Sequence, residues 1–188
     1  MEFTQIDFSD IVIKEEPFHI NKEVSFYSMK YDNGPFKVSS SQMKSSFGVK
    51  TNTFNNQEIN FIPDSQFKKF ILRLEDLVQR NSEGIFTSET KEFKSCLRQY
   101  KEYDEYIKLN VDDKFTKYDK SIDYKNKDCK IIFTITGIYV NNKNYGLSFR
   151  LNKISLDWLS KRDIDNLEYD YEIIDGIPVI TNILDISY

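Results

Sequence analysis

The sequence predicts a mainly β protein carrying one long helix. Three observations lead there: fifteen Phe and twelve Tyr among 188 residues, short apolar runs between polar breaks along most of the chain, and a single stretch with helical spacing. A chain of this length buries a core without disulfides or metals to staple it. Its 15% aromatic content suits a β core and equally suits a stacking surface, and AT-rich codons account for part of the Lys, Asn, Ile, Tyr and Phe excess.

In the first sixty residues, runs at 11–13, 24–29, 36–38, 47–49 and 59–62 read as strands, with Asn33-Gly34-Pro35 as a turn between the second and third. Residues 39–46, rich in Ser, read as a mobile loop. Residues 64–80, DSQFKKFILRLEDLVQR, form the helix: Asp64 or Ser65 caps it, and Phe67, Phe70, Ile71, Leu74, Leu77 and Val78 recur at three and four residues. That single apolar stripe covers one end or side of a sheet. Beyond Gly84, residues 93–100 and 106–111 alternate as strands about a turn at 102–105. Residues 112–128 carry dense mixed charge and little apolar content, which predicts a long flexible loop.

Residues 130–156, KIIFTITGIYVNNKNYGLSFRLNKISL, form a hairpin about an Asn/Lys/Gly turn. Its second strand places Leu147, Phe149 and Leu151 on one face and Ser148, Arg150 and Asn152 on the other. The predicted organisation is one domain at 1–160 with an N-terminal extension, followed by an acidic tail at 161–188. From Asp163 onward there are seven of the 30 acids and no Lys or Arg. Residues 1–162 thus hold all 26 basic residues against 23 acids, a net of +3 inside a chain of net charge -4. The stretch GIPVITNILDISY is too apolar for a solvated tail and is expected to pair as a strand or dock on a partner.

Several functions are poorly supplied. Cys96 and Cys129 have neither CxxC spacing nor neighbouring histidines and read as two reduced thiols. No signal-peptide pattern and no run long enough for a membrane span is present, so a cytoplasmic protein is expected. His19, the single histidine, lies in a strand-like run and reads as structural. None of the phosphate-loop, dinucleotide, zincin or serine-hydrolase motifs occurs, so no enzyme activity, cofactor or metal is expected. The best catalytic alternative is a metal-dependent nuclease using Asp64 with Glu89 and Lys91, but acid-x-base triplets of that kind arise by chance in so charged a chain.

A binding function is better supplied. If the strands close into a small barrel, phosphates are tracked by Lys and Arg and bases stack on rings, each base contributing about 1–3 kcal/mol. The candidates are Phe47 and Lys50; Lys94, Arg98, Tyr100 and Lys101; Lys117 and Tyr118 in the charged loop; and Tyr145, Phe149, Arg150 and Lys153 in the hairpin. For Tyr145 and Phe149 a core role is equally open.

These segments also resemble a family. SSFGVKTNTFNNQEINFIPDSQFKKFILRLEDLV, the pair around FKSCLRQYK and YIKLNV, and IIFTITGIYVNNKNYGLSFRLNKI are similar to the single-stranded DNA-binding proteins of large cytoplasmic DNA viruses and linear cytoplasmic plasmids. Those in turn are similar to the single-stranded DNA-binding protein of short-tailed phages. The resemblance spans about residues 45–156. It implies an oligonucleotide-binding (OB-fold) barrel with one long helix, and non-catalytic protection of displaced single-stranded DNA, or RNA, during replication. It further implies an acidic tail that contacts replication partners and ends in an aromatic residue. The matching tail residues here are Asp163, Asp165, Glu168, Asp170, Glu172, Asp175, Asp185 and Tyr188. The first forty residues carry no family feature, and homo-oligomerisation is left open. The competing expectation is a β-rich virion or scaffold protein whose rings are core and whose tail is its contact surface.

Overall fold

The computed structural model describes residues 1–85 and 91–156, the side chains of 83–85 excepted, together with the backbone of 170–174 and 177–182. It is mainly β with one helix, as the sequence predicts. In chain order the strands before the helix are β1 (Ile11–Ile13), β2 (Phe18–His19), β3 (Ser25–Tyr31), β4 (Gly34–Pro35), β5 (Lys37–Ser39), β6 (Met43–Ser45), β7 (Lys50–Thr51) and β8 (Gln57–Ile62). Helix α1 spans Ser65–Ile85. After it come β9 (Glu92–Phe93), β10 (Leu97–Arg98), β11 (Tyr106–Val111), β12 (Asp128–Val140) and β13 (Asn144–Leu156). In the tail, β14 (Asp170–Ile174) pairs with β15 (Ile177–Asn182), so the apolar stretch does form a strand.

β12 organises the sheet. Its β-branched run IIFTIT favours extended backbone, and along one edge it pairs with β13 from Cys129 to Val140. Its other edge is shared in turn by β6 at Asp128–Cys129, by β5 at Ile132–Thr134 and by β3 at Gly137–Val140. Two register shifts, at Ile132/Phe133 and Ile135/Gly137, bend the strand so that three partners fit. Gly137 is required at the second shift: a Cβ there would lie 2.0 Å from the Tyr27 carbonyl oxygen.

Helix α1 closes one side of the core. The Phe67 N–H donates to Asp64 Oδ1 at 2.7 Å, the cap the sequence predicts. Phe67, Phe70, Ile71, Leu74 and Val78 are buried, and Phe67 meets Phe133 of β12 and Phe3 edge to face. Each such side chain contributes roughly 1.5–3 kcal/mol through burial. The helix runs five residues past its predicted end at Arg80. There Ser82 Oγ lies 3.1 Å from the Tyr145 hydroxyl, a tie between helix and hairpin that periodicity does not reveal.

Four expectations are corrected. Residues 39–46 are not a free loop but contain β6, with Ser40, Met43 and Ser45 buried. Residues 47–49 are not a strand but a turn, in which Gly48 takes φ +69 and its N–H donates to Ser45 Oγ. Residues 93–100 do not make one strand but two short pieces, β9 and β10. Residues 112–128 pack on the body through buried Thr116 and Tyr124, whose hydroxyls bond the Leu151 carbonyl and the Asp119 N–H.

The large antiparallel sheet is not closed into a barrel by hydrogen bonds between its strands. The open seam lies between β11 and β13, which run alongside each other in the same direction. At one end residues 92–98 lie in the seam, β9 pairing parallel with β13 and β10 antiparallel with β11. At the other end a single parallel bridge joins Lys117 to Lys153. The segment between β9 and β10 breaks from regular pairing because Glu75 of α1, 4% exposed, draws it inward. Glu75 accepts from Ser95 Oγ at 2.9 and 3.0 Å and from the Cys96 N–H at 2.7 Å.

Two substitutions test this account by urea denaturation followed by circular dichroism. Gly137→Ala should lower unfolding free energy by more than about 2 kcal/mol, because backbone of β3 must move. Glu75→Ala should cost about 2–3 kcal/mol by stranding the Ser95 and Cys96 donors, and Glu75→Gln distinctly less. An unchanged midpoint for either alanine variant would contradict the packing described.

Candidate nucleic-acid interface

The seam collects cations because strand alternation leaves them no other side. On β11, Ile107, Leu109 and Val111 point into the core, which sends Tyr106, Lys108 and Asn110 outward. Residues in direct register share a face. One outward row runs Lys50, Glu58, Asn110 across β7, β8 and β11; Arg98 stands opposite Tyr106 across β10 and β11, and Lys44 opposite Ile62 across β6 and β8. On the far side of the seam, β13 buries Leu147, Leu151 and Ile154 and leaves Arg150 exposed and Lys153 half-buried. Arg150 stands in a row with Thr134 and Lys37 across β12 and β5.

Some of this charge is already balanced. Lys108 Nζ contacts Glu58 at 2.5 Å and Lys94 contacts Glu92 at 2.8 Å. Burial raises the Glu58 pKa, but hydrogen bonds from Lys108 and Asn52 and the charges of Lys108 and Arg98 outweigh it and hold the carboxyl below its ordinary value of 4.5. Lys50, Arg98, Lys117, Arg150 and Lys153 form no ion pair with any described residue. A polyanion laid along the seam meets cations that no acid among the described residues neutralises by contact.

The rings divide sharply. Phe47 is half-exposed at the β6–β7 turn with Lys50 Nζ 4.2 Å from its centroid, and Tyr100 is exposed with Lys101 Nζ 5.3 Å from its centroid. Tyr145 is buried against Phe93, with its hydroxyl on Ser82, so no ring face is left for a base. Phe149 packs on Phe133 as part of the core margin. Tyr118 is half-buried beside Tyr124, and its hydroxyl donates to Gln57 and Asp113 at 3.1 Å, so it plugs the core rather than presenting a platform. These three leave the stacking set because the interior claims their rings.

The structure adds residues that sequence reasoning passed over. Phe115 is 44% exposed at the end of β11, with the Arg150 guanidinium 5.2 Å and Lys114 Nζ 5.4 Å from its ring centroid. The Phe between lysines in DDKFTKYD is the signal in the sequence, one that the expectation of a long flexible loop at 112–128 passes over. Lys44, Lys108 and Tyr103 also belong to this surface.

Asp64 is engaged as the helix cap, and its proposed nuclease partner Glu89 lies outside the described residues. Among the described residues no cluster of His, Cys, Asp and Glu is arranged to hold a metal ion, and no helix is long and apolar enough to cross a membrane. His19 is exposed on β2, its Nδ1 3.0 Å from Ser25 Oγ. Burial pushes the Cys129 thiol up to about 12, and burial with Glu75 raises the Cys96 thiol well above its usual value. Of the tail candidates, Asp170 and Glu172 fall on the backbone of β14; Asp163, Asp165, Glu168, Asp175, Asp185 and Tyr188 lie outside the described residues. Compared with protein-family models, curated proteins and solved structures, the chain matches none.

The lowered Glu58 pKa fixes the sign of one pH effect. A depressed carboxyl contributes stability that is present above the unfolded value, near 4.5, and lost as pH falls through the folded one. Glu58→Gln should therefore lose less stability than the parent between pH 5 and pH 3 in paired urea melts. Equal losses in both proteins would show that Lys108 and Asn52 do not hold Glu58 as described.

Proposed function

We propose that the chain is a non-catalytic single-stranded DNA-binding protein of the replication type, related to those of large cytoplasmic DNA viruses and linear plasmids. The observation that carries this reading is the row of cations that form no ion pair with a described residue, Arg98, Lys117, Arg150 and Lys153, along the β11–β13 seam, with Phe115 beneath Arg150. Lysine and arginine at fixed spacing track a phosphate chain, and an exposed ring accepts any base face, so the surface suits binding without sequence preference.

The OB-fold belongs to the same reading. β6, β8, β11, β13 and β12 follow one another around the core, and the 92–98 segment and the Lys117–Lys153 bridge span the one gap. In such a barrel, ligand lies across the outer faces of strands and the loops that join them. The core margin formed by Tyr145, Phe149 and Tyr118 supports the seam rather than contacting a base.

The acidic tail completes the proposal. Seven carboxylates without a cation compete with DNA for the seam and, once displaced, are available to basic replication partners.

Fluorescence anisotropy on oligo-dT against duplex DNA tests this directly. Affinity should favour the single strand and fall steeply with salt. Arg150→Ala and Lys153→Ala should each weaken binding by about 5- to 20-fold at low salt, and a chain ending at Ser160 should bind more tightly, most visibly at low salt. Equal affinity for both nucleic acids, or no binding at submicromolar protein, would return the chain to the interaction-protein reading.

A further inference from the structure

The β10–β11 turn carries a feature that the seam does not explain. Tyr100 and Tyr103 are 59% and 69% exposed, yet their rings are held within 15° of parallel with centroids 6.3 Å apart. That spacing is at the long end of the range for attracting aromatic pairs, so the two rings cover little of each other. Burial does not account for leaving two large rings in water. Lys101 sits between them in the chain at φ +56, a left-handed conformation unfavourable for a lysine, and its Nζ lies 5.3 Å from the Tyr100 centroid. The turn is fixed further by Gln99, whose side-chain amide donates to the Tyr103 carbonyl at 3.3 Å, and by the Tyr103 N–H donating to the Tyr100 carbonyl at 3.2 Å. Two parallel rings and a cation in a pinned turn match the chemistry of one nucleotide: a flat base and its phosphate.

The position of this turn gives the pair its meaning. Arg98 precedes it and pairs with Tyr106 at the start of β11, whereas Phe115 and Arg150 lie at the other end of that strand. β11 is six residues long, about 17 Å from first to last. Between the two ring stations the outward cations are Arg98 and Lys108. Resting on the proposed function, we propose that Tyr100 and Tyr103 form a second base-stacking station, so that a bound single strand runs along β11 from this pair to Phe115. An unstacked strand, at roughly twice the 3.4 Å rise of a duplex strand, covers that distance in about three to four nucleotides.

The full chain and a fluorescent dT12 provide the test, with circular dichroism and urea midpoints as folding controls; neither should move, since both rings are exposed. Tyr103→Ala should raise Kd for dT12 by about 5- to 100-fold, Tyr103→Phe should restore parental affinity, and Phe115→Ala should weaken binding independently, the two effects multiplying in the double variant. Kd of Tyr103→Ala within twofold of a parent that binds dT12 would overturn the second station and leave the proposed function standing. A parent that does not bind dT12 would remove both.

Discussion

The structure depends on one strand's capacity to be shared. β12 offers a single edge to three successive partners, β6, β5 and β3, while its other edge is taken by β13. On the shared edge nine of the thirteen residues of β12 stand in register with a partner strand and eleven do so with β13, and Ile131, Phe133, Ile135 and Ile138 are driven into the core by the same geometry. The constraint is steric as much as energetic. Where β3 crosses, the approach is so close that no side chain fits at residue 137, and the two register shifts are what let one strand turn far enough to serve three.

A sheet wound that tightly around one strand brings its ends near each other without making them meet in register. β11 and β13 arrive side by side, but the strand that would fill the gap is pulled inward by Glu75. A buried carboxylate with two donors, the Ser95 hydroxyl and the Cys96 N–H, is costly to place and costly to disturb, and here it sets how far residues 92–98 stand from either neighbour. Unpaired edges invite adventitious strand pairing unless charge or irregular backbone blocks them. Arg98, Lys117, Arg150 and Lys153, which form no ion pair with a described residue, lie on the segments that flank this seam, and charge of one sign there disfavours such pairing.

The parts that were legible in the sequence are those governed by local periodicity. Helix α1, with Asp64 as its cap, and the β12–β13 hairpin follow from spacing alone, because each buries one face against a large core. What was not legible depends on contacts across long stretches of chain. Met43 looks like a stray apolar residue among serines until β12 and β8 flank it. Tyr145 and Phe115 show the same limit in opposite directions. Alternation assigns Tyr145 to a strand without saying that Ser82, sixty-three residues away, claims its hydroxyl, and low hydropathy assigns Phe115 to a tether without showing Arg150 above its ring.

That exchange of roles bears on how a sequence-tolerant surface is built. Rings in strands of a small β protein are drawn inward, since burying one gains far more than the fraction of a kilocalorie that an exposed cation contact returns. Phe18, exposed on the two-residue edge strand β2, is an exception, but the four rings of the proposed binding surface, Phe47, Tyr100, Tyr103 and Phe115, all lie in turns or in the loop after β11. Cations face no such pressure, because alternation on a strand already sends them to water, where register fixes their spacing. On the proposed reading, the strands set where phosphates lie and the turns set where bases stack. A polymer with a regular backbone and variable bases is held by a regular row of charge and by rings that do not distinguish one base from another.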